Sequence, residues 1–369
     1  MATTTLRKSS ISSLSRINNN MKACAKAVNL QYISDNCNGI NRVKSRKGFL
    51  YYYDNKRITD EETLKRIRSL VIPPAWSDVW ISRDERGHLQ ATGKDIKNRK
   101  QYRYHPNWNQ LRNHAKFSNL LEFGKSLPQI RNQIEKDISQ KDICETKVIA
   151  LVLSLMEKTY IRVGNSQYEK MNGSHGLTTL KDKHVVLNGN SIQFFFVGKK
   201  GVSHEISLKN KKLANLVKQC RDIPGKELFQ YIADDGSRKR IESGMVNNYI
   251  KEVSKQQFTT KDFRTWAGSV NALEKILELQ HSEEQLPKKT RLNDIIDYVS
   301  KRLGNTRTVC KKYYIHPFIL DLYANDKLPA FKKTSSSING LTEVENLMMN
   351  ILKSHLKNEQ GIVSNLKCA

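Results

Sequence analysis

The sequence predicts an α+β protein, with a small antiparallel β-rich domain at the N-terminus and a mostly α-helical domain after it that carries a three-stranded β insert. Short strand patterns separated by turn residues fill the region before Trp108, whereas apolar residues recur at helical spacing beyond it. Within the helical part, Asn188-Gly-Asn190 indicates a hairpin, and Gly198-Lys-Lys-Gly201 indicates a turn to a third strand. A chain of 369 residues is long enough for about two such domains.

The N-terminal β-rich domain is predicted from aromatic and β-branched runs bounded by turn residues. One helix interrupts it at 60–70, where Thr59 or Asp60 is the expected N-cap and Pro73-Pro74 ends the pattern. The strands are expected at 48–54, 79–81, 89–92 and 101–104.

The helical domain is predicted around one central buried helix. The segment 144–160 is apolar on nearly every side, which is typical of a helix in the middle of a core, and Gly164 is its expected C-cap. The insert strands are expected at 184–187, 192–197 and 202–208. The other helices are expected at 110–124, 127–139, 211–221, 242–256, 263–280, 292–303 and 341–356.

Composition shifts along the chain predict four segments. Residues 1–40 are interpreted as a basic, flexible tail, because the first acidic residue is Asp35. An organellar transit peptide is the alternative, which the low arginine content disfavours. Residues 41–107 form the β-rich domain, 108–331 the helical domain, and 332–369 a linker with a C-terminal amphipathic helix.

Charge is the most informative feature of the composition. The chain has 63 Lys and Arg against 36 Asp and Glu, a formal net charge of +27. Such an excess indicates a polyanionic partner, with nucleic acid as the first candidate. An anionic membrane surface is the second, but the sequence has no apolar run of about 18 residues. The 6 cysteines show no metal-ligand spacing, which indicates reduced thiols and no structural zinc.

Two adjacent tyrosines, Tyr313 and Tyr314, lie in a basic setting formed by Arg307, Lys311 and Lys312. A phenol has an ordinary pKa of about 10 and is a poor nucleophile at neutral pH. Surrounded by cations and aimed at phosphorus, it can attack a phosphodiester and form a covalent phosphotyrosine. The alternative interpretation is structural, with the pair half-buried and anchoring a helix to the core.

Three cations earlier in the chain favour the chemical interpretation. Arg162 follows the buried helix, Lys199 lies in a β-turn, and Arg264 opens a helix. Phosphoryl transfer requires that charge on the nonbridging oxygens be neutralised, which forked guanidinium hydrogen bonds can do. A lysine can donate the proton that the leaving oxygen needs. Each residue alone is usual in structural settings, so the order of the set carries the hypothesis.

The phrases around these residues resemble one known family. The chain resembles the small type IB DNA topoisomerases of poxviruses and bacteria, within the tyrosine recombinase and topoisomerase superfamily, from about Asn41 to Ala330. The motifs that carry the resemblance are Arg162-Val-Gly-Asn165, Asn172-Gly-Ser-His-Gly-Leu-Thr-Thr-Leu180, Phe196-Val-Gly-Lys199, Val202-Ser-His-Glu205, Lys261-Asp-Phe-Arg-Thr-Trp266, Leu303-Gly-Asn-Thr306 and Tyr313-Tyr-Ile-His-Pro317.

The resemblance implies a role for each motif residue. Tyr314 is the nucleophile that joins the 3′-phosphate of the cut strand and releases a 5′-hydroxyl. Arg162 and Arg264 hold the phosphate, and Lys199 protonates the departing oxygen. Lys261 is a second phosphate contact or proton donor.

Two further sets of residues come from the resemblance. Asn305 stands where the poxvirus enzymes have a histidine and the bacterial enzymes have Gly-Asn-Thr, so a neutral amide is expected to contribute less than a charged group. Gln101, Tyr102 and Tyr104 match the family segment that contacts duplex DNA in the major groove, which makes residues 41–107 a DNA-clamp domain.

The implied activity is relaxation of supercoiled double-stranded DNA without ATP, metal or other cofactor, by a monomer that works with DNA inside a viral factory, virion or bacterial cytoplasm. The sequence has no GxxxxGK[ST] loop, in agreement. A tyrosine recombinase is the first alternative, although its usual His-x-x-Arg is Lys261-x-x-Arg264 here. A non-catalytic DNA-binding protein is the second, although it has no need of Lys199 or Tyr314.

Overall fold

The computed structural model describes residues 20–46, 48–280, 287–328 and 338–365. These divide into two compact units, one formed by the residues up to Asn119 together with those from Gln360 onward, and one running from Leu120 to Glu359. The predicted fold class is confirmed, since an antiparallel six-stranded sheet is followed by a mostly helical region with a three-stranded sheet. In the described residues, no helix combines the length and apolar character needed to cross a membrane.

The first unit is built on the six-stranded sheet, in the order β3-β2-β1-β4-β5-β6. Its core between sheet and helix contains Ile40, Ile67, Val79, Ile81 and Ala91. Asp60 caps the one helix of this layer through the Thr63 N–H (2.8 Å), as the sequence predicts. The elements are β1 Ile40–Ser45, β2 Gly48–Tyr53, β3 Lys56–Arg57, α2 Glu61–Ser69, β4 Ser77–Ile81, β5 Leu89–Lys94 and β6 Lys100–Tyr104.

A helix occupies part of the segment expected to be a tail. Helix α1, Met21–Ala27, buries Cys24 and Ala25 against Trp108 and Leu111 of helix α3, Pro106–Ser118. Residues 20–40 therefore pack with the first unit, because apolar side chains spaced along α1 find a complementary helix surface. The remainder of the expected tail, residues 1–19, lies outside the described residues.

The second unit surrounds the predicted central helix, which is α5, Glu145–Thr159. Every residue from Lys147 to Met156 is buried. The helix ends earlier than the expected cap at Gly164, because Tyr160 takes the left-handed conformation (φ 57°). The other helices of this unit are α4 Leu120–Ile138, α6 Ser166–Asn172, α7 Lys211–Asp222, α8 Ser243–Ser254, α9 Thr260–Gln280, α10 Lys288–Leu303, α11 Arg307–Tyr313, α12 Pro317–Ala324 and α13 Glu343–Asn365.

The helices predicted at 110–124 and 127–139 are present, but the break between them lies at Asn119, and helix α4 is continuous where the break was expected. The prediction places a break between Gly124 and Leu127, but the helix runs through Pro128 as well. A Cβ at Gly124 would lie 2.4 Å from Met349 Sδ and 2.6 Å from Trp266. This glycine therefore permits close packing of helices and does not end one.

The predicted three-stranded insert is present, as β7 Val185–Asn188, β8 Ser191–Val197 and β9 Ser203–Lys209. The hairpin closes at Asn188, opposite Ser191, and β8 pairs with β9 from Ser191 to Val197. A second hairpin was not predicted. Its strands, β10 Gln230–Ile232 and β11 Arg238–Arg240, are only 3 residues long and show no periodicity.

The C-terminal helix α13 is part of the core of the second unit. Met348, Met349 and Leu352 are buried. The Glu345 carboxylate accepts hydrogen bonds from both terminal nitrogens of Arg131 (2.8 and 2.9 Å) and from Trp266 Nε1 (2.9 Å). This network ties α13 to α4 and α9.

We predict that Glu345→Ala destabilises the fold by about 1–3 kcal/mol, because it leaves the buried Trp266 N–H without its acceptor and removes one of the two carboxylates that pair with Arg131, which keeps Glu157. Denaturant unfolding measures the change. Glu278→Ala, which removes the exposed ion pair to Lys275, is the control and is expected to cost less than about 1 kcal/mol. Equal stability of Glu345→Ala and the wild type would contradict this account.

The same network predicts a pH dependence. Burial disfavours the charged form of Glu345, but the hydrogen bonds from Arg131, Thr342 and Trp266 outweigh it, so its pKa lies below the ordinary value. Its contribution is therefore complete above the unfolded value of about 4.3 and is lost as pH falls through the lower folded pKa. Glu345→Gln should flatten the acid side of the stability profile, measured by denaturant unfolding at successive pH values.

Candidate active site

Arg264 is a buried arginine held by backbone carbonyls. It lies on the second turn of α9 and is 5% exposed. Its guanidinium donates to the carbonyls of Tyr160 and, at 2.7 Å, Leu303. Both acceptors are at helix ends, of α5 and α10, where carbonyls lack intrahelical partners. Burial first, and then the charge of Arg162, lower the pKa of Arg264 to about 10, so it is still charged at neutral pH.

Tyr314 lies directly after α11, with its ring on the Arg264 guanidinium. The distance from Arg264 Cζ to the ring centroid is 5.4 Å. The Tyr314 carbonyl accepts from Ser269 Oγ (3.2 Å), and a Cβ at Gly268 would lie 2.6 Å from that carbonyl. Gly268 therefore lets the tyrosine approach α9. Tyr314 is half-buried, whereas Tyr313 is 38% exposed.

Arg162 and Asn305 contact each other. The Arg162 guanidinium donates to Asn305 Oδ1 and, at 3.4 Å, to the Gly304 carbonyl. Gly304 adopts φ 57° at the end of α10, which turns the chain so that Asn305 faces Arg162. The amide thus orients the arginine through its oxygen and keeps its nitrogen for another acceptor.

The site contains buried donors without acceptors. Over the described residues, four buried side-chain nitrogen or oxygen atoms have no hydrogen-bond partner, and two of them are Arg264 Nε and Asn305 Nδ2. No carboxylate in the described part of the chain forms a salt bridge with Arg162 or Arg264. No group of three His, Cys, Asp or Glu in that part is placed to hold a metal ion. The arrangement has positive charge and hydrogen-bond donors suited to an anion with several oxygens.

Lys199 lies in the turn Lys199–Gly201 between β8 and β9, as predicted. Its side chain is exposed and lies within electrostatic range of Arg162, Tyr314 and Lys261. Partial loss of hydration, and then the charge of Arg162, lower its pKa. Lys199 and Arg162 line a cleft of about 510 Å³.

Lys261 lies at the edge of this group. It is exposed, in the first turn of α9, one turn before Arg264. The structure therefore brings Arg162, Arg264, Asn305 and Tyr314 into one cluster, with Lys199 facing it and Lys261 at the rim.

His204 is a residue of this site to which the sequence assigned no role. It lies on β9 and its ring stacks on Phe196, with 5.0 Å between centroids. Burial, and then the charges of Arg162 and Arg264, lower its pKa. Strand alternation places His204 on the inward face of β9, which the sequence pattern could have indicated, but its proximity to Gly304 depends on the tertiary fold.

The predicted DNA-contacting residues belong to the first unit, on β6. Tyr102 is 47% exposed and stacks on Tyr104 at 5.9 Å between centroids. Gln101 Nε2 donates to Asp95 (2.9 Å), which fixes the amide at the β5–β6 turn. Burial is the main cause that raises the pKa of Tyr104, so this phenol stays neutral. The strand presents an aromatic surface with Lys100 beside it.

Comparisons with known proteins agree with this geometry. Residues 105–339 match the family model "Eukaryotic DNA topoisomerase I, catalytic core", and residues 48–95 match "Bacterial DNA topoisomerase IB, N-terminal domain". DNA topoisomerase 1B of Acanthamoeba polyphaga mimivirus is 33% identical over 334 residues, which cover 88% of this chain and 97% of the relative.

More distant relatives match a smaller share of the chain. DNA topoisomerase 1B of vaccinia virus (strain Copenhagen) is 25% identical over 289 residues, 74% of this chain and 89% of the relative. DNA topoisomerase 1 of Homo sapiens is 23% identical over 184 residues, 47% of this chain and 23% of the relative. Because the first model covers more than half of the chain and the mimivirus relative aligns along almost its full length, this chain belongs to the type IB DNA topoisomerases, which are isomerases.

Proposed function

We propose that this topoisomerase relaxes supercoiled duplex DNA by cutting one strand through a 3′-phosphotyrosyl intermediate at Tyr314, letting the free end rotate, and rejoining the strand without ATP or a metal ion. The observation that carries the proposal is that two buried donors of the site, Arg264 Nε and Asn305 Nδ2, lack an acceptor, while the Tyr314 ring lies on the Arg264 guanidinium. The oxygens of a phosphodiester in this position accept hydrogen bonds from both donors, and its negative charge neutralises the buried guanidinium.

The reaction forms one phosphorus–oxygen bond for each one that it breaks, so it needs no added energy source. The Tyr314 oxygen forms a bond to phosphorus as the bond from phosphorus to the 5′-oxygen breaks. The phenol proton passes to solvent water, and Lys199 donates a proton to the departing 5′-oxygen. Rejoining reverses each step, so the phosphotyrosine conserves the energy of the phosphodiester.

Arg162 and Arg264 stabilise the charge that develops on the nonbridging oxygens. Removal of one such preorganised donor typically costs about 100- to 1,000-fold in rate. Asn305 supplies a neutral donor to the same oxygens and holds Arg162 in place through its own oxygen. Lys261, at the rim, adds a further cation.

DNA binding is proposed to use the net charge of +27 and the β6 aromatic surface. Contacts from lysine and arginine to phosphates make affinity fall steeply as salt rises. Gln101, Tyr102 and Tyr104 then contact the major groove, and a single chain suffices because one tyrosine cuts one strand. We also propose that the DNA-clamp domain spans residues 41–107 and that the catalytic domain spans residues 108–331.

The proposal is tested by relaxation of supercoiled plasmid in EDTA without ATP. Wild type and Tyr313→Phe should relax the plasmid, whereas Tyr314→Phe should not, because it lacks the attacking oxygen. Tyr313→Phe is the matched control, since it removes the neighbouring hydroxyl. A wild type that binds DNA but fails to relax it would favour the non-catalytic binding protein or the recombinase.

We predict that Lys199→Ala slows cleavage by about 100- to 10,000-fold on ordinary DNA. The loss should largely disappear when the bridging 5′-oxygen at the cleavage site is replaced by sulfur, because a thiol has a pKa of about 8.5 and leaves without protonation. Single-turnover formation of the covalent adduct measures both rates. An equal loss on both substrates would show that Lys199 is not the proton donor.

The lowered pKa of Lys199 predicts how the rate of cleavage depends on pH. A proton donor must be protonated, so the wild-type rate on the oxygen substrate, divided by its rate on the sulfur substrate, should fall as pH rises. Because the pKa is lowered, the fall should begin below the ordinary lysine value of about 10.4. A ratio that stays constant with pH would contradict this assignment.

We predict that Asn305→Asp impairs cleavage more than Asn305→Ala does. The alanine removes one neutral donor, for an expected loss of about 10- to 100-fold. The aspartate still pairs with Arg162 but places a negative charge against the phosphate and neutralises the arginine, so its loss should be at least about tenfold larger. Single-turnover cleavage measures both variants, and wild-type activity of Asn305→Asp would refute the role given to Nδ2.

A further inference from the structure

We propose that His204 is a positioning residue whose ring fixes the Lys199 turn against the loop that carries Asn305, so that the proton donor and the phosphate-binding groups stay aligned. The inference rests on the proposed function, since it concerns proton donation by Lys199. No part of the sequence motif assigns this task to His204.

The ring of His204 is enclosed on three sides. A Cβ at Gly198 would lie 2.6 Å from its Cδ2 and Nε2 atoms. A Cβ at Gly304 would lie 2.5 Å from its Cε1 atom. The Phe196 ring stacks on one face, with an interplanar angle of 21°. Real Cβ atoms do not approach so closely, so the imidazole fills the space between two glycines from different segments.

Gly198 and Gly304 each directly precede a residue of the proposed active site. Gly198 precedes Lys199, and its N–H donates to the Val202 carbonyl (2.7 Å), which closes the turn. Gly304 precedes Asn305, and its carbonyl accepts from Arg162 (3.4 Å). A shift of the His204 ring therefore moves Lys199 relative to Asn305 and Arg162.

The pairing of strands β8 and β9 fixes the position of the His204 ring. His204 pairs with Phe196 in the β8–β9 register, directly next to the Val197 and Ser203 pair at the turn. The imidazole also suits its surroundings electrostatically. Burial and the two arginines favour its neutral form, so it fills the space without adding another positive charge beside Lys199.

The test measures single-turnover cleavage by His204→Ala on the oxygen and bridging-sulfur substrates. On the oxygen substrate the rate should fall by about 100-fold, which is the usual cost of a misplacement of about 1 Å. On the sulfur substrate it should approach that of wild type, because no proton is needed. Val186→Ala, an exposed position on β7 of the same sheet and outside the cleft, is the control and should be unaffected on both substrates.

Two further variants distinguish placement from other roles. His204→Phe retains a ring of similar size and should recover most of the lost rate on the oxygen substrate. Gly198→Ala, at a position with an ordinary φ of −96°, should be slow alone because its methyl meets the imidazole. Combined with His204→Ala it should be no slower than His204→Ala itself, because the methyl then has room.

Several results would overturn the proposal. These are an unchanged oxygen-substrate rate in His204→Ala, an equal loss on both substrates, a His204→Phe variant as slow as His204→Ala, or additive losses in the Gly198→Ala combination. Thermal unfolding of each variant verifies that it is folded. Absence of the covalent adduct in the wild type on either substrate is a different result, since it refutes the proposed function itself.

Discussion

The candidate site depends on the buried guanidinium of Arg264, which no carboxylate in the described part of the chain neutralises. Arg264 is held by the carbonyls of Tyr160 and Leu303, and within the described residues no carboxylate pairs with it. A buried charge without a partner costs several kcal/mol, so the rest of the fold must offset it. Carbonyls orient the group but leave its charge uncompensated, which keeps it available for an anion, as the proposed function requires. A carboxylate in their place would abolish that availability.

The core of the second unit offsets the cost of burying Arg264, and it packs against both sides of α9. One side faces Tyr314 through Gly268 and Ser269, while Trp266 faces the Glu345 and Arg131 network on α13 and α4. The buried helix α5 ends at Tyr160 and delivers the carbonyl that Arg264 needs. The carbonyls at helix ends, which lack intrahelical partners, here are the acceptors that position Arg264.

Local sequence signals predicted much of the fold and the residue types of the site. The all-round apolar pattern identified α5, and Asn188-Gly-Asn190 identified the hairpin. Helix α4 was wrongly divided because Gly124 reads locally as a break, whereas its role is to admit Trp266 and Met349 from distant segments. The hairpin β10–β11 was missed because strands of 3 residues carry too little periodicity.

The relations between site residues could not be predicted from local pattern. That Asn305 contacts Arg162, and that His204 lies between Gly198 and Gly304, are consequences of tertiary packing between segments about 100 residues apart or more. The most direct test of the central claim is to trap the covalent adduct with a DNA oligonucleotide, digest it, and locate the attached nucleotide by mass spectrometry. We predict that the nucleotide is on Tyr314, bonded through a 3′-phosphate. Attachment at Tyr313, through a 5′-phosphate, or at no residue would contradict the account.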